Sequence, residues 1–166
     1  MLLREMIKGL DVLEVHGNTD VDIQGIAYDS RKARDGFIFI CIEGFMADGH
    51  DFIPAAVQNG AKALIVQKEI EAPEGTTVVR VKNSRYAVAY ISDIFFGHPS
   101  QRLNLIGVTG TKGKTTTTFM IKSILEAVEK KVGLIGTLVT HIGHEALPSE
   151  RAALEVGQID CFAVAL

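Results

Sequence analysis

Apolar residues change their spacing several times along this chain, and each change marks an element. "FIFICIEG" (residues 37–44) and "AKALIV" (61–66) are near-continuous apolar runs. The first reads as a strand and the second as a buried strand. "VDIQGIAYDS" (21–30) and "TTVVRV" (76–81) are rich in Ile, Val and Thr and also read as strands. Between them the period lengthens. Residues 2–10 read as a short helix. "HDFIPAAVQNG" (50–60) reads as a helix with Asp51 as candidate cap, Pro54 in the first turn and Gly60 as its stop. "NSRYAVAYISDIFFG" (83–97) reads as another, opened by Asn83 and closed by Gly97. Alternating strands and helices predict a compact α/β unit over residues 1–98.

"GHPSQ" (97–101) combines Gly, Pro and Ser and reads as a linker. After it, "LNLIGVTG" (103–110) predicts a buried strand. "KTTTTFMIKSILEAVEK" (114–130) predicts an amphipathic helix with Ile121, Ile124, Leu125 and Val128 on its apolar face, and "KVGLIGT" (131–137) a second buried strand. Residues 99–151 thus read as the start of a second α/β domain, and 152–166 as an atypical tail. The predicted class is α/β throughout.

Composition narrows the function. The chain has 166 residues, of which 47% are hydrophobic and 22% charged, a globular profile. The net charge of −3 argues against a broad nucleic-acid surface, although it leaves room for one compact anion site. No apolar run is long enough to cross a bilayer. The N-terminus carries Arg4, Glu5 and Lys8, unlike a secretory leader. Cys41 and Cys161 lie far apart and form no C-x-x-C, so a cytoplasmic protein with reduced thiols is expected.

The chemistry concentrates in "GVTGTKGKTTTT" (107–118). It ends in Gly-Lys-Thr as phosphate loops do. The common G-x-x-x-x-G-K-S/T spacing would place a glycine at position 108, which is Val108. The context is nevertheless right: strand, glycine turn, helix start. There, unpartnered backbone N–H groups and the helix dipole favour an anion. Gly110 and Gly113 allow close backbone approach, Lys114 supplies charge to the β- and γ-phosphates, and Thr115 offers a hydroxyl to Mg²⁺. Four consecutive threonines are poor helix formers, which suits hydroxyls turned toward a ligand better than it suits stability. The plain alternative is a glycine turn with an exposed lysine.

This loop resembles the ATP-binding loop of the Mur ligases, T-G-T-x-G-K-S/T-S/T. A similar loop occurs in folylpolyglutamate synthases, so the loop alone does not decide. The N-terminal unit does. "YDSRKARDGFIFICIEGFMADGHDFIPAAVQNGAKALIV" (28–66) resembles the UDP-binding domain of the MurE-type ligases, with Asp29, Ser30, Arg31, Gly36, Phe39, Gly44, Asp48, Gly49, His50, Phe52, Ile53, Ala56, Gly60 and Ala61 in pattern. The resemblance runs from residue 1 to about 151. It implies that Tyr28, Ser30, Phe45, Met46 and Ala47 contact the UDP part of the substrate. It implies an ATP site of Gly110, Thr111, Lys112, Gly113, Lys114, Thr115 and Thr116, with Lys114 catalytic and Thr115 on Mg²⁺. The activity implied is ATP-dependent addition of diaminopimelate or lysine to UDP-N-acetylmuramoyl-L-alanyl-D-glutamate through an acyl phosphate, in peptidoglycan synthesis. His50 is expected to be a packed or loop-tying histidine rather than a catalytic base.

"HIGH" (141–144) spells the signature of class I aminoacyl-tRNA synthetases, but it precedes "EALPSE" rather than opening a helix, and the lysine-rich partner loop is missing. A surface hairpin or loop is expected. Mur ligases are longer, three-domain chains. After "LPSER" the MurE-type pattern T-T-P-E-S-L-D gives way to "AALEVGQIDCFAVAL" (152–166). The expectation is therefore an N-terminal fragment without turnover of its own, prone to self-association through exposed apolar surface, whose tail strand "CFAVAL" covers part of it. A non-catalytic UDP-sugar or ATP-binding module and a stand-alone P-loop NTPase are the rival readings.

Overall fold

The computed structural model describes residues 1–44, 47–136, 139–142, 145–148 and 161–164. The chain divides into two compact units, Met1–Gly97 and His98–Leu166.

The first unit is a five-stranded sheet in the order β1-β5-β4-β3-β2. Strands β2 (Gly25–Ala27), β3 (Phe37–Ile40), β4 (Ala63–Val66) and β5 (Thr77–Val81) are parallel, while β1 (Val12–His16) closes the β5 edge antiparallel. The strand period of two sorts the apolar residues onto two faces. Ile38, Ile40, Ala63, Ile65, Val79 and Val81 pack with Leu3, Met6 and Ile7 of α1 (Leu3–Ile7) and Ala87 and Ile91 of α3 (Ser84–Phe95). Phe39, Cys41, Leu64, Val66 and Val78 pack on the other face with Ile53 and Ala56 of α2 (Ile53–Gln58). Helices on both faces explain why the central strands read as unbroken apolar runs.

Three local expectations are corrected. Strand β1 was not apparent in the sequence. It is a bulged edge strand whose Glu14 pairs with Arg80 across β5 at 2.8 Å, so its pattern is half polar. Asp51 does not cap α2. The chain enters that helix through a 3₁₀ turn, Gly49–Phe52, and Asp48 caps this turn by accepting from the His50 N–H at 3.0 Å. The segment 21–30 yields only the three residues of β2 as strand. Asn83 does cap α3, accepting from the Tyr86 N–H at 3.0 Å.

In the second unit β6 (Asn104–Gly107) leads into α4 (Lys114–Ala127), followed by an antiparallel meander of β7 (Gly133–Ile135), β8 (Val139–Ile142) and β9 (Glu145–Pro148). Strand β10 (Cys161–Val164) pairs antiparallel with β6. Two burial expectations fail here. All four β6 residues are exposed. On α4, Ile124 and Val128 are 66% and 62% exposed, while Thr118 is buried and Ile121 and Leu125 are half-buried. The inward stripe is thus 118–121–125, one of two apolar stripes on this helix. Of "HIGH", His141 and Ile142 belong to β8, with Ile142 opposite Glu145 of β9; Gly143 and His144 lie outside the described residues. No helix among the described residues is long and apolar enough to cross a membrane.

Candidate functional site

Two candidate sites were read from the sequence, one in each unit. In the first unit, parallel strands send their loops to one carboxyl edge of the sheet, where open α/β sheets bind ligands. Tyr28 and Ser30 follow β2 on that edge. The side chain of Tyr28 is 40% exposed, and Ser30 is buried at the start of a 3₁₀ turn, Ser30–Lys32. Asp29 caps the turn by accepting from the Arg31 N–H at 3.0 Å, and its carboxylate takes Arg31 Nε and Nη2 at 2.9 and 2.7 Å. That bidentate hold draws the Asp29 pKa down to about 2. Asn59, at the end of α2, donates to the Ser30 carbonyl at 2.9 Å. The "DSR" turn is thereby fixed from both sides.

Neighbouring β3 runs into the second loop. Glu43 and Asp48 bridge antiparallel, and Gly44 N–H donates to the Ala47 carbonyl at 3.0 Å, so Glu43-Gly44 and Ala47-Asp48 form the stem of a hairpin on the same edge. Ala47 is exposed; Phe45 and Met46 lie outside the described residues. Beneath the hairpin, Cys41 is fully buried and its thiol is pushed up to about 12 by loss of water. It is a core group.

His50 ties this loop down. Its Nε2 accepts the backbone N–H groups of Gln67 and Lys68 at 3.1 and 3.4 Å, and its Nδ1 stands 2.6 Å from Asp48 Oδ1. A nitrogen that accepts carries no proton, so Nδ1 carries it and donates to Asp48. Lys68 Nζ reaches the other Asp48 oxygen at 2.5 Å and Glu43 Oε1 at 3.4 Å. These contacts, the Lys68 ammonium first, hold the Asp48 carboxyl well below the ordinary carboxylate range, and Asp48 in turn raises Lys68. Sequence reasoning did not single out Lys68 or Arg85, which donates to the Glu43 carbonyl at 2.7 Å. Neither belongs to a motif, and their partners are distant in sequence.

The second site is the loop between β6 and α4. Gly113 sits at the helix N-cap with φ of 79°, a left-handed conformation that glycine adopts without strain. No side chain caps the helix and its first turn holds no acidic residue, an arrangement that suits an anion at a helix N-terminus. Thr111, Lys112, Thr115 and Thr116 are exposed around them. Lys114 Nζ donates to the Gly110 carbonyl at 2.8 Å, folding the ammonium back over the loop. This donor set fits a polyphosphate. Among the described residues no group of three His, Cys, Asp or Glu is placed to hold a metal.

The family model described as "Mur ligase family, catalytic domain" matches residues 22–108, and that described as "Mur ligase middle domain" matches 108–158. The chain is 47% identical over 155 residues to the UDP-N-acetylmuramoyl-L-alanyl-D-glutamate--2,6-diaminopimelate ligase of Alkaliphilus metalliredigens, covering 93% of this chain and 31% of that protein. A solved UDP-N-acetylmuramoyl-L-alanyl-D-glutamate--2,6-diaminopimelate ligase superposes over 95% of this chain and 32% of its own, with TM-score 0.71 and 21% identity, which speaks for the fold. The MurF ligase of Thermotoga maritima, solved in complex with ADP, matches 69% of this chain and 26% of its own at TM-score 0.52 and 28% identity. The chain spans about a third of the length of the curated relatives it matches. With two family models meeting at residue 108 and the first alone matching more than half the sequence, the chain belongs to the Mur ligase family.

Proposed function

We propose that this chain supplies the UDP-substrate domain and the ATP loop of a ligase that adds diaminopimelate to UDP-N-acetylmuramoyl-L-alanyl-D-glutamate, in the cytoplasm, during peptidoglycan synthesis. The observation that carries the reading is the pairing of two sites in one chain. A hairpin stem and a braced "DSR" turn share the carboxyl edge of one sheet, and an uncapped, glycine-led helix start follows in the second unit.

In this reading Tyr28, Ser30, Phe45, Met46 and Ala47 hold the uridine diphosphate. The amides of Gly110 to Thr116 surround the polyphosphate of ATP, and Thr115 offers its hydroxyl to Mg²⁺. The chemistry that ATP supplies is activation of the substrate carboxylate for attack by an amine. The contribution of Lys114 is electrostatic: its ammonium leaves the Gly110 carbonyl and offsets charge on the phosphoryl group in transfer. The choice of diaminopimelate over lysine follows the relatives and not a residue of this chain.

The reading is tested by titrating the ¹⁵N-labelled chain with UDP-N-acetylmuramoyl-L-alanyl-D-glutamate and, separately, with Mg-ATP. The first is expected to shift amides of 28–31 and 44–49, the second those of 110–116. Failure of either set to respond at millimolar ligand would remove that site from the proposal.

A further inference from the structure

We infer that Asn59 is a positioning residue for nucleotide recognition: its side-chain amide, just past the end of α2, holds the Ser30 carbonyl and so sets where the Ser30 hydroxyl stands on the carboxyl edge of the sheet. It rests on the reading that Ser30 contacts the uridine diphosphate.

A three-residue 3₁₀ turn has little hold of its own. The turn Ser30–Lys32 is closed by two backbone bonds, from Lys32 N–H to the Asp29 carbonyl at 2.9 Å and from Ala33 N–H to the Ser30 carbonyl at 3.2 Å. The longer of the two ends on Ser30. Asn59 Nδ2 gives that same carbonyl a second and shorter bond, at 2.9 Å, from 29 positions along the chain. Ser30 itself is only 8% exposed, and Ala33 at the end of the turn is fully buried in one apolar cluster with Ala56 of α2. The turn is thus packed on α2 through its apolar residue and tied to the end of α2 through a hydrogen bond.

The end of α2 does not need an asparagine for its own sake. Gly60 takes the left-handed step there, with φ of 99°. Asn59 has φ of −80° and ψ of 0°, the ordinary closing conformation of a turn. Its backbone N–H is satisfied inside the helix by the Ala55 carbonyl at 3.0 Å. Its side chain is exposed, so burial does not select it either. What the position supplies is an uncharged donor that reaches the Ser30 carbonyl. A carbonyl held by two donors fixes the Ser30 backbone, and with it the direction of the Cα–Cβ bond that carries the hydroxyl. A group placed before its ligand arrives does not have to be ordered on binding.

The test is UDP titration of the ¹⁵N-labelled 166-residue chain as wild type, Asn59→Ala, Asn59→Asp, Ser30→Ala and the double variant Asn59→Ala with Ser30→Ala. Asn59→Ala is expected to weaken UDP binding about fivefold, the worth of one hydrogen bond. It should also speed amide exchange at Ala33, whose N–H closes the turn on Ser30, while exchange in β3 and β4 stays as in the wild type. Asn59→Asp should weaken binding further, since it sets a carboxylate oxygen against the Ser30 carbonyl. Because Asn59 acts through Ser30, its removal from Ser30→Ala should cost less than about twofold. If Asn59→Ala does not fold, the wild type still decides: the Asn59 side-chain N–H₂ signals should shift on UDP addition together with the amides of 28–31, and unmoved side-chain signals overturn the role of Asn59. Wild-type affinity in folded Asn59→Ala, or an equal loss with and without the Ser30 hydroxyl, overturns that role and leaves the substrate reading standing. Absence of UDP binding by the wild type overturns the substrate reading and the role of Asn59 with it.

Discussion

The Asp48–Lys68 pair sets how the hairpin responds to pH. Lys68 depresses the Asp48 pKa, so folding favours the carboxylate; the stability this contributes is complete above the unfolded value of about 4 and is lost as pH falls through the lower folded value. Lys68 is raised by Asp48, so its share is complete below about 10.4 and is lost as pH rises through the folded value. The tie is therefore intact between about pH 4 and 10. In a carboxyl ¹³C titration Asp48 should remain ionised at pH 4, and a midpoint at the ordinary aspartate value would show that the pair does not form. Gly60 carries a different constraint. Its φ is 99°, and an added Cβ would meet the Asp35 backbone at 2.8 Å. Gly60→Ala is expected to cost about 2 kcal/mol, since both strain and overlap oppose it; a denaturation midpoint like that of the wild type would refute this. The sequence made Gly60 legible as a helix stop, because the demand for φ above zero is local. It left Lys68 and Arg85 unread, because their partners lie 20 to 42 positions away and nothing in their spacing shows it.

Helix α4 shows what one element reveals and hides. Its start was legible, since Gly-Lys-Thr after a strand fixes the loop and the first turn together. Its buried face was not. Thr118, Ile121 and Leu125 make one stripe and Met120, Ile124 and Val128 another, and spacing alone favours neither. The threonines divide in the same way. Thr118 is buried and donates to the Thr115 carbonyl at 2.6 Å, a local bond that competes with the helix, whereas Thr117 is exposed and belongs to no proposed contact. Thr117→Ala should therefore stabilise α4 by a few tenths of a kcal/mol, because alanine outranks threonine in a helix. Slower amide exchange in residues 118–125 would show it, and faster exchange would mean that Thr117 has a structural partner. Lys114→Met should reduce Mg-ATP binding at least tenfold, as expected for loss of a charge-assisted contact to phosphate, with the helix otherwise unchanged. Retained ATP affinity would take Lys114 out of the site. Strand β1 was missed for a simpler reason: an edge strand alternates with charged residues, and Glu14 and His16 broke the apolar run on which the other strands were recognised.

Taken whole, the two units differ in how far they bury their apolar residues. In the first, both faces of the sheet are covered, and Ile38, Phe39, Ile40, Leu64 and Ile65 are at most 1% exposed. That core was legible because a strand buried on both sides leaves an unbroken apolar run in the sequence. In the second, Leu105, Met120, Ile124, Val128, Ile135 and Ile142 are all 43% exposed or more, and Val132 and Leu134 are its buried large aliphatic residues among those described. The expected buried strand at 103–110 failed here because burial depends on what packs over a strand, which "LNLIG" cannot specify by itself. Exposed apolar surface of this kind favours association, and sparse burial favours local opening. Amide exchange should accordingly be slow in β3 and β4, approaching the global unfolding rate, and faster in β6 and α4. Sedimentation should show the 166-residue chain associating as concentration rises, and substitution of Met120 and Ile124 by Gln should suppress that association while leaving exchange in β3 and β4 unchanged. Equal protection of both units in a strictly monomeric chain would mean that the second unit closes a core of its own, and the exposed α4 stripe would then have no part in association.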